Sequence, residues 1–108
     1  MYTIYYRLMD QFNEIELLDK LSHSDAKKGF RIGEERLKQL FEDTYTPEIA
    51  EKATTSGQAK FNGKPIIFYG YIVQQKGKKK HKEKGLVFVE ENDVLTSHHY
   101  DYFDDENF

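Results

Sequence analysis

Hydrophobic residues fall at every second position at the start of this chain. Tyr2, Ile4, Tyr6 and Leu8 lie on one side, with Thr3, Tyr5 and Arg7 on the other. That period of two, in aromatic and branched residues, predicts a half-buried strand. The stretch from Asp10 to Leu21 fits two patterns. Phe12, Ile15, Leu18 and Leu21 recur at near-helical spacing behind Asp10 as a cap, and this favours a helix. The alternative is a hairpin in which "EIELL" pairs with the first strand.

After the polar connection "SHSDAKKG", the segment "GEERLKQLFED" predicts the clearest helix. Glu34 and Glu35 would sit near the favourable end of its dipole, with Glu34 one turn from Lys38. Leu37, Leu40 and Phe41 would form its buried stripe. "TPEIAEKA" predicts a second, short helix capped by Thr46 with Pro47 at its first position.

The remainder reads as sheet. "QAKF", the pair Asn62–Gly63 and "KPIIFYGYIVQQ" form a hairpin signal, because a tight turn needs positive φ at its centre. Pro65 belongs at a strand start or edge. From Ile66 to Val73 both faces are apolar. Ile66, Phe68 and Ile72 are expected on one face, and Ile67, Tyr69, Tyr71 and Val73 on the other. Such a strand belongs at the centre of a sheet or in a barrel wall. "GLVFVEE" follows, joined by the lysine stretch "KGKKKHKEKG", and "DVLTSHHYDYF" adds a last strand. The expected fold is a single small α+β domain over residues 1–103. It has a mixed or antiparallel sheet or barrel, one to three flanking helices, and an acidic tail at residues 104–108.

Composition narrows the class. The 108 residues contain no cysteine, which removes disulfides and thiolate chemistry and suits a reducing compartment. The opening lacks the basic start and apolar stretch of a signal peptide, and no run approaches the roughly 18 apolar residues of a membrane span, so a cytoplasmic location is expected. The net charge of −3 hides a strong asymmetry. Residues 76–84 carry six lysines and one glutamate, whereas residues 90–108 carry seven carboxylates and no lysine or arginine. Such polarity bears on partners rather than on fold.

The lysines suit a polyanion, since clustered cations release counterions from a phosphate backbone. Lys76, Lys78, Lys79, Lys80, Lys82 and Lys84 are the candidate phosphate contacts. Tyr69 and Tyr71, on the neighbouring strand, are candidate platforms for unpaired bases. The bland alternative is a solvated hairpin tip whose lysines deter edge pairing. His98 and His99 are adjacent on a strand and point to opposite faces, so a shared metal ion is not expected. No nucleophile motif or phosphate loop is present, and neither an enzyme nor a cofactor is expected.

The tyrosine-rich opening "YTIYYRLMDQFNEI", the charged helical middle and the run "PIIFYGYIVQQ" together resemble the PrgU family of small regulators, carried by pheromone-responsive conjugative plasmids of enterococci. The resemblance implies a PUA-like fold, a compact β-barrel with flanking helices found in RNA-binding domains. It also implies a role in restraining expression of conjugation genes. The leading expectation is therefore a non-enzymatic RNA-binding regulator. The rival is a protein-binding module or inhibitor from a mobile element, acting through its acidic or aromatic surface.

Overall fold

A computed structural model describes residues 1–100. The alternation read at the N-terminus is a strand, β1 (Tyr2–Asp10), with Ile4, Tyr6 and Leu8 buried. The next segment is not a helix. It turns back as β2 (Glu16–His23), antiparallel to β1 from Tyr2↔His23 to Met9↔Glu16. Asp10, read as a helix cap, closes the turn instead, its carboxylate accepting from the Glu14 and Ile15 N–H groups at 2.7 and 2.8 Å. Pairing with β1 sets Leu17 and Leu21 on the core side and leaves Leu18 64% exposed, an outcome that helical spacing of Leu18 with Ile15 could not give.

Helix α1 (Ala26–Thr44) begins seven residues earlier than the sequence pattern suggests. Asp25 caps it, accepting from the Lys28 N–H at 2.9 Å. Phe30, Leu37 and Phe41 form its buried stripe, with Gly29 and Gly33 beside them. Glu34 thus lies in mid-helix rather than at the dipole's positive end, although its pairing with Lys38 is present at 3.8 Å. Helix α2 (Pro47–Ser56) follows, with Thr46 as cap, Pro47 in the first turn and Gly57 ending it in the left-handed region at φ 58°.

Strand β3 (Lys60–Phe61) pairs with the start of β4 (Lys64–Lys76) across a turn in which Asn62 and Gly63 both have positive φ. Pro65 is the second residue of β4. Strands β5 (Lys79–Glu91) and β6 (Val94–Tyr100) complete the sheet, joined by Asn92 and Asp93, also at positive φ. The order is β2-β1-β4-β5-β6, all antiparallel, with β3 attached to β4. Among the described residues β2 and β6 share no pairing, so the sheet is open and is not a closed barrel. The acidic tail at residues 104–108, and the last three residues assigned to the domain, lie outside the described residues. Among those described, no helix is long and apolar enough to cross a membrane.

Both helices cover one face of the sheet. Register places Ile4, Tyr6, Leu8, Phe68, Gly70, Ile72, Leu86 and Phe88 on that face, where they pack with Phe30, Leu37 and Phe41. Phe41 stacks on Phe88 with centroids 4.4 Å apart and meets Phe68 edge-on at 5.8 Å. A register shift between Ile66 and Phe68 changes the expected sides. Ile67 joins Phe68 in the main core, while Ile66 joins Ala59, Val87 and Val89 in a second cluster. A bulge sets two residues against one, and so resets the alternation.

Candidate nucleic-acid interface

The lysine stretch is a ribbon rather than a loop. Its strands pair out to Lys76↔Lys79, and only Gly77 and Lys78 form the connection. Gly77 has φ 63° at the first of these two positions, where a tight hairpin favours glycine. A second register shift falls inside the ribbon: Gln74 opposes Lys82 and Gln75 opposes Lys80, leaving His81 as the extra residue.

That bulge decides where the charges point. Directly opposed residues share a face, so Lys76 and Lys79 share one, and Lys82 and Lys84 fall on the same side through Gln74 and Ile72. This is the helix-bearing face. Lys82 Nζ lies 4.5 Å from the centroid of the Phe30 ring, and Lys84 Nζ lies 5.6 Å from it. Lys76 Nζ lies 5.5 Å from the Tyr2 ring, which itself sits 5.1 Å from the His81 ring. Lys78 occupies the tip.

The first turns of α1 border this patch. Gln74, buried in β4, donates from Nε2 to the Ala26 carbonyl at 2.6 Å and ties the helix start to the sheet. No acidic residue occupies the first turn of α1. Lys27 and Arg31 are exposed and lie on the helical stripe that continues to Glu34 and Lys38. Glu34 points toward β5 and β6, meeting Lys84 Nζ at 3.3 Å and His99 Nε2 at 3.3 Å. Burial opposes ionisation of Glu34. The hydrogen bond and charge of Lys84, helped by Lys38 and His99, outweigh it and hold the carboxyl below its ordinary range. Lys84 is thus matched by a carboxylate, whereas Lys76, Lys79 and Lys82 form an exposed cationic group with Lys27 and Arg31 nearby.

The two tyrosines lie on the other face. Tyr71 opposes Gly85 and is 38% exposed. Its hydroxyl donates to the Glu83 carboxylate, which also meets Lys80 Nζ at 2.7 Å. The Lys80 hydrogen bond, with that of Tyr71, lowers the Glu83 pKa, and Glu83 raises those of both partners. Tyr69 is half-buried against Ile66, Val87 and Val89, and its hydroxyl donates to Asn13 Oδ1 at 2.9 Å. Of the residues singled out in the sequence, Lys76, Lys79, Lys82 and Lys84 come together on one face, and Lys80 joins Tyr71 on the other. The aromatic rings beside the larger lysine group are the buried Phe30 and the more accessible Tyr2 and His81. The sequence held a signal for Lys27 and Arg31, since a cap at Asp25 places them one turn apart near a helix start.

His98 and His99 do point to opposite faces, opposing Val87 and Leu86. His98 lies 3.5 Å from a Glu91 carboxylate oxygen and packs near Phe61, while His99 meets Glu34. Among the described residues no group of three or more histidine or carboxylate side chains is placed to hold a metal ion. No protein-family model, curated protein or solved structure matches this chain.

Proposed function

We propose that this protein binds single-stranded RNA through the helix-side face of the β4–β5 ribbon and acts as a non-enzymatic regulator. Lys76, Lys79 and Lys82, with Lys78 at the tip and Lys27 and Arg31 on α1, contact phosphates. Tyr2 and His81 offer rings to unstacked bases. The observation that carries this reading is the register of the ribbon, which sets Lys76, Lys82 and Lys84 on one face, with the bulge at His81 bringing Lys79 to them and turning Lys80 away. Resemblance to the PrgU family supplies the proposed setting, restraint of conjugative-plasmid gene expression. The exposed Tyr5 and Tyr71 on the opposite face favour a protein partner as the second reading.

Fluorescence anisotropy with a labelled single-stranded RNA tests the assignment. His81→Ala and Tyr2→Ala are each expected to weaken binding by roughly 1 kcal/mol or more, and Tyr71→Ala to leave it unchanged. Loss of binding only in Tyr71→Ala would move the RNA to the open face, and no binding by the wild type would end the RNA reading.

A further inference from the structure

The outer edge of the sheet at β2 has features of a self-complementary surface. Among the described residues β2 pairs with β1 alone, in a register uninterrupted over eight residues. It contains neither proline nor a bulge, two devices that commonly blunt an edge. Its outer region carries Leu18, 64% exposed on the face away from the helices. Leu18 is flanked on that face by Glu16 and Lys20, of opposite charge.

We infer that β2 pairs antiparallel with β2 of a second copy of this chain about a twofold axis at Leu18. With that axis perpendicular to the sheet, opposed residues must share a face, and few registers qualify. Centring on Leu18 sets Leu18 against its counterpart and Glu16 against Lys20 twice, once on each side of the axis. Centring on Asp19 or Lys20 would oppose like charges at the axis, which is unfavourable. Centring on Leu17 or Leu21 would place at the axis a side chain already half-buried against the core and leave Leu18 away from it. Charge therefore selects the register that also covers the exposed leucine.

The local geometry accommodates this arrangement. Glu16 meets Arg7 at 3.1 Å, yet its side chain is about half exposed and remains open to a second cation. The Lys20 N–H is held in the single chain by the Asp19 carboxylate at 2.8 Å. On pairing it exchanges that bond for the Glu16 carbonyl of the second copy. The result is one sheet continuous through both copies, with all four helices on the same side.

Sedimentation equilibrium of the full chain, up to roughly 1 mM, tests the inference, with far-UV circular dichroism confirming that each variant is folded. The wild type is expected to dimerise reversibly. Leu18→Asp, which opposes two carboxylates at the axis, and Lys20→Glu, which opposes Glu16, should each weaken the dimer about tenfold. The charge exchange Glu16→Lys with Lys20→Glu should recover most of the wild-type affinity, because it restores both opposed pairs. A wild type monomeric throughout, a dimer indifferent to Leu18→Asp, or a double variant no tighter than Lys20→Glu alone would each overturn it.

Discussion

Lys84 on β5 reaches Glu34 on α1 at 3.3 Å, an ion pair that joins the sheet to the helix across residues 50 positions apart in sequence. Both side chains are mostly shielded from water, and Glu34 also meets Lys38 and His99. The pair makes Lys84 a structural cation, whereas among the described residues no carboxylate pairs with Lys76, Lys79 or Lys82 beside it.

Replacing Glu34 with glutamine should therefore cost about 1 kcal/mol at neutral pH. The sign of the pH dependence follows from its lowered pKa. The stabilisation is fully present above the unfolded carboxylate value, about 4.3, and is lost as pH falls through the lower folded value. Urea unfolding at pH 7 and pH 3 should show the wild type losing more stability on acidification than Glu34→Gln. Equal losses would show that the pair contributes nothing.

Gly33 gives a prediction opposite to helix propensity. Alanine normally stabilises a helix interior relative to glycine by up to about 1 kcal/mol. Here a Cβ would lie 2.7 Å from Ile4 Cγ2 and 2.9 Å from Ile72 Cδ1, both in the core of the sheet. Gly33→Ala should thus destabilise by roughly 1–3 kcal/mol, measured as a lower urea midpoint. A raised midpoint would mean that the helix lifts freely from the sheet.

Phe68 is fully buried on the central strand and meets Phe41 edge-on. Phe68→Ala should cost roughly 3–5 kcal/mol, with a corresponding fall in Tm. An unchanged Tm would contradict the placement of this ring.

Strong local signals made much of this fold legible. The alternation of β1, the Thr46–Pro47 start of α2 and the Asn62–Gly63 turn each specify their conformation within a few residues. The segment 10–21 was misleading because helical spacing at Phe12, Ile15, Leu18 and Leu21 is a local property, whereas pairing of β2 with β1 is not. The start of α1 was hidden by Gly29 and Gly33, which weaken helix propensity but allow close packing on His23, Ile4 and Ile72. In the candidate site, the lysines stood out by composition. Their division between faces did not, because the bulge at His81 breaks the alternation by which faces are assigned. Tyr69 and Tyr71 lie close to the lysines in sequence, yet the register turns Lys76, Lys79, Lys82 and Lys84 to the other face and only Lys80 to theirs.

The charge of the C-terminal residues gives a further prediction. Strand β6 ends with Tyr100 opposite Gly85, next in sequence to Lys84. The eight residues that follow carry four carboxylates and no lysine or arginine. Deleting residues 104–108 should strengthen RNA binding, most clearly at low salt where charge acts over the longest range. Equal affinities at low ionic strength would show that these charges do not compete with RNA.

The most direct measurement is the salt dependence of RNA affinity for the wild type and a variant with Lys76, Lys78, Lys79 and Lys82 changed to glutamine. Each phosphate contact on a single strand contributes roughly 0.7 to the slope of log affinity against log salt. The quadruple variant should therefore bind more weakly, with a slope smaller by up to about 2.8, while Lys84→Gln, whose cation is matched by Glu34, leaves the slope nearly unchanged. Equal slopes for the wild type and the quadruple variant, or no RNA binding by the wild type at low salt, would contradict the account.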